Sequence, residues 1–401
     1  MKPLIIAPND LRIREGTTIR ITGLIKSIAP NMEKIYLASA FINKELSQLH
    51  NLEWVKIRFL RALTLLSINY SSIMSRHFFD IGLTRIMINK EIRDADVIHA
   101  HWILTLPLAV GIHKYNGAPI IVDLHGLFEL QSQSPSISLA GWLLVNLSRI
   151  IEVMRVRDKY IEAFTVPSEP LKQYLIRRYG LPGDKIFVVP DGIDINDIPS
   201  YDEDLANQMR NMLGIKDEHV VAYVGTVSYF HGFHDLLKAF KIAKHRIENI
   251  KLLLIVPNRV QALNIAGRTG ISDQDLIVLE NIPRRKIYYY LYLSDVLVIP
   301  HRAGTQFEFL PSNKLLDYIA SGKPIVGYDL PSIRHLLYKY EPKILVKPND
   351  PEALASGIIN ALQINRRAPY KVIKAVLSKY SWNNVGKQLL SVYRRVKGGI
   401  R

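Results

Sequence analysis

Short apolar runs alternate with longer amphipathic segments from one end of the chain to the other. The runs have the length of strands, and the segments between them repeat apolar residues at helical spacing. This alternation predicts parallel sheets wrapped by helices, the doubly wound α/β class. The predicted strands of the first half are residues 4–6, 35–37, 97–99, 119–122, 163–166 and 186–189. Those of the second half are residues 220–224, 252–256, 276–279, 296–299 and 324–326.

Two domains are expected, because 401 residues exceed one ordinary hydrophobic core. Each half of the strand pattern supplies one doubly wound sheet. The stretch PSYDEDLANQ holds few apolar residues and follows the turn residues 190–194, so it predicts a linker within residues 195–215. We therefore expect one Rossmann-like domain over residues 1–200 and a second over residues 201–380.

A last helix is predicted over residues 381–396. The stretch YSWNNVGKQLLSVYRRV offers Ser381 as an N-cap, and its apolar residues recur on one helical face. These apolar residues are Val385, Leu389, Leu390 and Tyr393.

The absence of cysteine excludes disulfides, thiolate metal sites and a cysteine nucleophile. Apolar residues make up 48% of the chain, but none of their runs approaches the roughly 18 residues of a membrane span. The opening stretch MKPLIIAPND has an apolar run of only strand length and does not resemble a cleaved signal. We expect a cytoplasmic protein, either soluble or bound peripherally at the inner face of the membrane.

The chain is strongly basic, with 52 Lys and Arg against 36 Asp and Glu and a formal net charge of +16. Such an excess favours anionic partners: nucleotide phosphates, anionic lipid headgroups or nucleic acid. Zinc-finger, helix-turn-helix and aromatic RNA-binding signatures are absent from the sequence, so nucleic acid is not expected as a partner.

The stretch LPSNKLLDYIASGKPIVGYD predicts an anion site at the start of a helix. Ser312 and Asn313 are preferred N-cap residues, and Gly322 is a preferred C-cap. Lys314 stands in the first turn, where a cation opposes the helix dipole unless an anion lies nearby. A helix N-terminus with a lysine, between two strands, is typical of a phosphate site. The alternative is a surface helix with a solvated lysine.

Two loops place glycine where backbone could approach a ligand. Gly16 follows the first strand in APNDLRIREGTTIRI, and Gly225 with Thr226 opens GTVSYFHGFHDLLKAF, in which His231 precedes the next helix. The second loop could face phosphate. The alternative for the first is a flexible polar loop.

Two acids flank the predicted anion site. Glu308 lies in the upstream loop HRAGTQFEF, and Asp317 lies within the helix, where its carboxylate could accept hydrogen bonds from ribose hydroxyls. The alternative for Asp317 is an ordinary surface acid. The run from Arg284 to Lys286 is interpreted as a solvated basic turn that could add charge.

His125 follows the fourth predicted strand in DLHG, where it could reach a ligand and donate to a hydroxyl or transfer a proton. A purely structural histidine is the alternative. His99 and His101 in VIHAHW are interpreted as structural, because neither a carboxylate nor a third histidine follows at metal-ligand spacing. We therefore expect no metal and no cofactor.

Five stretches, in order, resemble the family 4 glycosyltransferases of the GT-B fold, and the likeness covers nearly the whole chain. They are VVPDGIDI, YVGTVSYFHGFHDLLKAF, PSNKLLDYIASGKPIVG, VKPNDPEALASGI and YSWNNV. The resemblance implies two Rossmann-like domains with a cleft between them, and a C-terminal helix over residues 381–401 that crosses back to the first domain.

The resemblance also implies an enzyme. Its members transfer a sugar, with anomeric retention, from a nucleotide-sugar donor on the second domain to a hydroxyl acceptor on the first. A glycan or a lipid-linked molecule would be the acceptor. The rivals are a nucleotide-sugar epimerase of the same fold and a non-catalytic nucleotide-sugar-binding scaffold subunit.

By motif position, the resemblance assigns roles to individual residues. Asn313 and Lys314 would hold the pyrophosphate, Asp317 the ribose, and Gly16 would form a glycine loop beside the donor phosphates. His125 would lie at the reaction centre. The other expected donor-site residues are Ser312, Leu315, Gly225, Thr226 and His231, and the expected catalytic residues are His125, Lys314 and Glu308.

Four positions depart from the family pattern. The usual arginine and lysine of the glycine-opened loop are replaced by Thr226 and His231, and the ribose acid, usually glutamate, is Asp317. The upstream acid of the paired-glutamate motif falls on Phe309, with Glu308 one residue away.

Residues 56–90 are apolar with interleaved arginines. This pattern is compatible with a pair of amphipathic helices at an anionic membrane, and hence with a lipid-linked acceptor. Packing into the protein core is the favoured interpretation.

Overall fold

The computed structural model describes residues 1–13, 15–56, 92–127, 139–364 and 366–399. It divides into two compact units. The first comprises Met1–Gly192 with Trp382–Arg401, and the second comprises Ile193–Ser381. The basic stretch at 56–90 that suggested a membrane-binding helix pair lies, apart from Lys56, outside the described residues.

The first unit is built on a seven-stranded parallel sheet with the order β3-β2-β1-β4-β5-β6-β7. Its strands are β1 Pro3–Ile6, β2 Ile35–Ser39, β3 Leu52–Lys56, β4 Val97–His101, β5 Ile120–Asp123, β6 Ile161–Val166 and β7 Ile186–Val188. Its described helices before residue 192 are α1 Gly16–Ile28, α2 Lys44–Ser47, α3 Leu106–Asn116, α4 Leu139–Arg155 and α5 Glu169–Tyr179.

The second unit is built on a six-stranded parallel sheet with the order β10-β9-β8-β11-β12-β13. Its strands are β8 His219–Val224, β9 Ile250–Val256, β10 Leu276–Glu280, β11 Val296–Ile299, β12 Ile325–Tyr328 and β13 Lys343–Val346. Its described helices are α6 Glu203–Met212, α7 Phe233–Arg246, α8 Arg259–Thr269, α9 Arg284–Leu293, α10 Lys314–Ser321, α11 Pro331–Leu336, α12 Pro351–Ile364 and α13 Tyr370–Lys379.

The last helix, α14 Trp382–Lys397, belongs to the first unit. All four apolar residues predicted on its buried face are buried, in one core with residues of β1 and α1. A Cβ at Gly386 would lie 2.8 Å from the Ser27 carbonyl oxygen of α1, so the two helix backbones meet closely. The fold therefore confirms the predicted return of the C-terminal helix to the first domain.

Every predicted strand is present, and two more lie at sheet edges. β3 and β13 are not among the predictions because their sequences, LEWVK and KILV, are short and carry charged residues. Edge strands have one neighbour and need less apolar sequence. The predicted linker at 195–215 is wrong in part, because α6 forms there behind the N-cap Asp202.

The order of strands reverses once in each sheet, between β1 and β4 in the first and between β8 and β11 in the second. Ligands of open parallel sheets bind beyond the carboxyl ends of the strands at such points. Across the described ranges, the structure contains no helix long and apolar enough to cross a membrane.

Candidate active site

A buried carboxylate lies beside the reversal point of the first sheet, at the end of the strand next to β4. β5 ends at Asp123, which accepts hydrogen bonds from Arg20 Nε at 2.9 Å and Arg20 Nη2 at 2.8 Å. Thr165 Oγ1, from β6, donates to Asp123 Oδ1 at 2.6 Å. Burial opposes the negative charge, but the Arg20 guanidinium outweighs burial and holds the pKa of Asp123 well below its usual value. The carboxylate is therefore ionised near neutral pH.

His125 is held against this carboxylate. Its Nε2 lies 3.0 Å from Asp123 Oδ2 and 2.7 Å from His101 Nδ1, and its ring stacks on Trp102. Burial lowers the pKa of His125 to about 3, although Asp123 acts in the opposite direction, so the imidazole is neutral near pH 7. His125 Nδ1 is buried and has no hydrogen-bond partner among the described residues. This nitrogen is therefore available to a ligand.

His101, interpreted as structural, lies beside a carboxylate and a third histidine that its own stretch of sequence does not contain. His101 and Asp123 are register partners at the ends of adjacent strands, and His101 Nδ1 lies 3.0 Å from Asp123 Oδ2. Each of these two residues is the last of a buried strand, and this shared position was the signal in the sequence that could have predicted their contact. His99, His101 and Asp123 offer ligand atoms within 4.8 Å of one another. Arg20 already supplies the positive charge there, which favours hydrogen bonding over metal binding.

The second unit buries a lysine at the corresponding point of its sheet. Lys314 is the first residue of α10, as predicted, and its ammonium is buried 4.7 Å from the ring centroid of Tyr223. The ammonium has no hydrogen-bond partner within the described part of the chain. Burial lowers the pKa of Lys314 to about 7. An uncompensated buried ammonium is costly, and an anion would remove that cost.

The absence of a Cβ at Gly225 leaves room for the Lys314 ammonium. The residue has φ +146, and a Cβ there would lie 2.1 Å from Lys314 Nζ. The close approach predicted for the Gly225 backbone is therefore an approach to the Lys314 side chain. Thr226 is exposed, and its carbonyl oxygen accepts a hydrogen bond from Tyr223 at 2.8 Å.

Two imidazoles lie close to the lysine. His231 Nδ1 is 2.7 Å from Ser228 Oγ, and the His231 ring meets the His301 ring edge to face at 5.3 Å. Burial, and then the charge of Lys314, lowers the pKa of His231 to about 3. His231 is thus neutral and can offer a phosphate an N–H donor, while the family's lysine would offer a charge.

His301 was not among the predicted residues. It follows β11 in VIPH and is fully buried, and neither of its ring nitrogens has a hydrogen-bond partner among the described residues. Burial, and then the charge of Lys314, lowers its pKa well below the usual value. Asn313 precedes Lys314 as the N-cap but makes no capping bond, and its Oδ1 is also buried without a partner in the described residues. Unsatisfied polar groups therefore gather at this helix end.

Asp317 is anchored by α9. Its Oδ1 accepts hydrogen bonds from Arg284 Nη2 at 3.1 Å and from the Tyr288 hydroxyl at 2.6 Å. The interpretation of Arg284 as part of a solvated turn is therefore wrong. The geometry orients the carboxylate and leaves Oδ2 without a hydrogen bond in the described part of the structure.

The remaining predicted residues occupy less distinctive positions. Glu308 Oε1 accepts the Gly304 amide at 2.7 Å. Ser312 offers its carbonyl oxygen to the Leu315 amide at 2.9 Å, and the Leu315 side chain lies in the core. Gly16 is exposed at the start of α1 in the first unit.

Known proteins match both units. The model of the glycosyl transferases group 1 matches residues 206–375, and the model of glycosyltransferase family 4 matches residues 47–197. An uncharacterized glycosyltransferase of Methanocaldococcus jannaschii is 27% identical over 323 residues, 75% of each chain. A D-inositol 3-phosphate glycosyltransferase of Xylanimonas cellulosilytica is 23% identical over 332 residues, 79% of this chain and 75% of its own.

Solved structures share the fold. Sucrose-phosphate synthase of Thermosynechococcus elongatus superposes with a TM-score of 0.73 at 15% identity, over 99% of both chains. The Anabaena protein HepE, solved with UDP and glucose, gives 0.70 at 14% identity, over 98% of this chain and 99% of its own.

The epimerase and scaffold alternatives are not favoured, because the matching models and the named relatives are glycosyltransferases. The two family models lie on the two structural units in order and together take in most of the chain. The chain therefore belongs to the glycosyltransferases, with a family 4 region in its first unit and a group 1 region in its second.

Proposed function

We propose that this glycosyltransferase uses a nucleoside-diphosphate sugar as donor and that the diphosphate binds at the start of α10. One observation carries the proposal: the Lys314 ammonium is buried without a hydrogen-bond partner among the described residues, at a helix N-terminus. Helix N-termini bind phosphate through free amides and the helix dipole. HepE, a protein of the same fold, was solved with UDP, which supports this class of donor.

Lys314 would act mainly in the transition state. Breaking the bond from sugar to diphosphate places negative charge on the leaving group, and a fixed buried cation stabilises that charge more than it stabilises the bound donor. The neutral His231 and His301 would donate N–H groups to the same oxygens. Asp317, oriented by Arg284 and Tyr288, would accept hydrogen bonds from the ribose hydroxyls through Oδ2.

His125 would contact the transferred sugar. Its Nδ1 is the free side of an imidazole whose Nε2 is fixed by Asp123 and His101. The proposed reaction retains anomeric configuration by front-face displacement. A leaving phosphate oxygen accepts the proton of the incoming hydroxyl as the new glycosidic bond forms. Gly16 is proposed to lie beside the donor phosphates, Glu308 to assist catalysis, and no metal is required.

The test compares two lysines, Lys314 at the first residue of α10 and Lys323 directly after its C-cap Gly322. We expect Lys314→Met to lower kcat by about two to three powers of ten, the usual value of one charge-stabilising contact. Lys323→Met is the matched control, since Lys323 is also buried and burial lowers its pKa to about 8. Calorimetry with UDP, GDP and ADP, followed by nucleotide release with candidate acceptors, gives binding and turnover. Equal activity of the Lys314 variant and wild type would refute the proposal.

We also propose that the protein is cytoplasmic, binds an anionic membrane peripherally and takes a glycan or lipid-linked acceptor. Support comes from α4, where four large apolar side chains share one exposed arc with Arg149 at its edge: Leu147, Ile150, Val153 and Met154. An apolar arc with basic residues is typical of helices that lie in a lipid interface.

Liposome flotation tests membrane binding. We expect binding to vesicles that contain anionic phospholipid, weaker binding at high salt, and loss of binding in Met154→Glu. Met212→Glu is the matched control, because Met212 is 84% exposed and Met154 is 74% exposed. Failure of the wild-type protein to float with anionic vesicles at low salt would contradict the proposal.

A further inference from the structure

A chain of hydrogen bonds connects the last helix to the carboxylate beside His125. The Tyr393 hydroxyl, on α14, lies 2.8 Å from His99 Nδ1. His99 Nε2 lies 3.3 Å from Thr165 Oγ1, which lies 2.6 Å from Asp123 Oδ1. All four side chains are buried. The chain therefore crosses the core of the first unit from α14 through β4 and β6 to β5.

The direction of every proton in this chain is determined. Asp123 is an ionised acceptor, so the Thr165 hydroxyl must donate to it and can only accept from His99. His99 Nε2 then carries the proton. Burial lowers the pKa of His99 well below its usual value, so the ring is neutral and its Nδ1 is an acceptor. The Tyr393 hydroxyl therefore donates to Nδ1.

This chain limits the ways in which Asp123 can turn. Oδ1 accepts hydrogen bonds from Thr165 Oγ1 and Arg20 Nη2, and Oδ2 accepts one from Arg20 Nε. Oδ2 also faces His101 Nδ1 and His125 Nε2, each at 3.0 Å. Those two nitrogens are only 2.7 Å apart, and one of them must be an acceptor. The position and charge of Oδ2 therefore decide which nitrogen of His125 carries its proton, and hence what Nδ1 offers to a ligand.

We propose that Tyr393 is a positioning residue for the transfer reaction: through His99 and Thr165 it fixes Asp123, and Asp123 fixes the tautomer and orientation of His125. The inference rests on the proposed function, in which His125 contacts the sugar. Without the Tyr393 hydroxyl, His99 loses the donor that selects its Nε2–H form. His99 can then adopt its Nδ1–H form, in which Nε2 no longer donates to Thr165. The hydroxyl that holds Asp123 Oδ1 thereby loses its own hydrogen-bond support.

Kinetics test the role of the chain. We expect Tyr393→Phe to lower kcat about three- to tenfold with the donor KM unchanged, the size of one net hydrogen bond. Thr165→Val should give a similar loss, Thr165→Ser should restore activity, and the double variant Tyr393→Phe/Thr165→Val should be no worse than either alone. Tyr36→Phe is the matched control, since its buried ring also carries a hydrogen-bonded hydroxyl in the first unit. Wild-type kcat in Tyr393→Phe would overturn the inference.

A spectroscopic test separates this inference from the proposed function. Nitrogen-15 spectra of histidine-labelled protein, assigned with His99→Asn and His125→Asn variants, report the tautomers directly. We expect His99 in its Nε2–H form in the wild type, and both His99 and His125 resonances to shift in Tyr393→Phe but not in Tyr36→Phe. Unchanged His125 resonances would overturn the inference whether or not transfer is observed. Shifted resonances with full activity in His125→Asn would support the positioning chain and contradict the proposed role of His125.

Discussion

Lys314 illustrates how a single residue can lower stability for the sake of binding. Its ammonium is buried, lacks a hydrogen-bond partner within the described residues, and has a pKa of about 7 against 10.5 in its unperturbed state. The unfolded chain therefore binds more protons than the folded chain between these two values, and stability rises with pH across that window. Residues of this kind are typical of functional sites, where function limits stability.

Two measurements follow for Lys314. We expect Lys314→Met to raise stability at pH 7 by about 1 to 2 kcal/mol, because it removes an uncompensated buried charge. Wild-type affinity for UDP should be greatest below pH 7 and should fall as the pH rises above 7, because binding an anion then requires proton uptake. Unfolding curves and calorimetry from pH 6 to pH 9 measure both effects. A UDP affinity that rises with pH would contradict the assignment.

Asp123 stabilises the folded protein at neutral pH, whereas Lys314 destabilises it. It pairs with the buried Arg20, and its pKa is depressed, so its contribution is present at neutral pH and is lost as the pH falls through the folded-state pKa. We expect Asp123→Asn to destabilise the first unit by about 3 to 5 kcal/mol, because it leaves a buried guanidinium without its main partner. Glu45→Gln, which breaks the exposed Lys26–Glu45 pair, should cost less than about 1 kcal/mol. Urea unfolding at pH 7 compares the two variants.

At the scale of elements, the contact between α1 and α14 depends on a glycine. A Cβ at Gly386 would lie 2.7 Å from the Ser27 side chain and 2.8 Å from its carbonyl oxygen, so Gly386→Ala must separate the helices. We expect it to lower the stability of the first unit by about 1 to 3 kcal/mol and to reduce kcat, since Tyr393 lies on the displaced helix. Gly267→Ala, in a helix where a Cβ meets nothing within 4 Å, should be neutral or stabilising. Thermal unfolding and initial rates measure these effects.

The elements that the sequence predicts correctly are those with local signals. Central strands are continuous apolar runs, and α10 has a clear beginning at Asn313 and an end at Gly322, which adopts a left-handed conformation. The missed edge strands β3 and β13, and the polar helix α6, depend on packing against neighbours rather than on their own composition.

The same distinction applies to the candidate site. Lys314 and Asp317 lie in one short motif and are readily found. Arg20 and Asp123 are 103 residues apart, and only the order of strands brings them together. His301 carries no local motif, and its position at the end of β11, beside the reversal point, was the only signal available.

At the scale of the whole molecule, the polar residues around Lys314 and those around Asp123 lie in different units. All the residues proposed to hold the diphosphate and ribose, apart from Gly16, belong to the second unit, whereas Arg20, Asp123 and His125 belong to the first. The order of the family models along the chain confirms the assignment of two Rossmann-like units to a glycosyltransferase.

A truncation tests this division. A chain that ends at Ser381 loses α14 and its core residues, so we expect the first unit to unfold at a lower temperature and transfer to be abolished. Binding of UDP should persist, since Lys314, His231 and Asp317 remain. A chain that ends at Lys397 keeps α14 and is the control. Loss of UDP binding in the shorter chain alone would contradict the placement of the diphosphate site.

The return of α14 to the first unit also determines the order of events during protein synthesis. Residues 382–397 complete a core whose other members are made before residue 193, and the whole second unit is translated between them. On the ribosome, the second unit can therefore reach its native state before the first does, the reverse of the usual N-terminal-first order. Until α14 emerges, the apolar face of α1 that it will cover is available to chaperones.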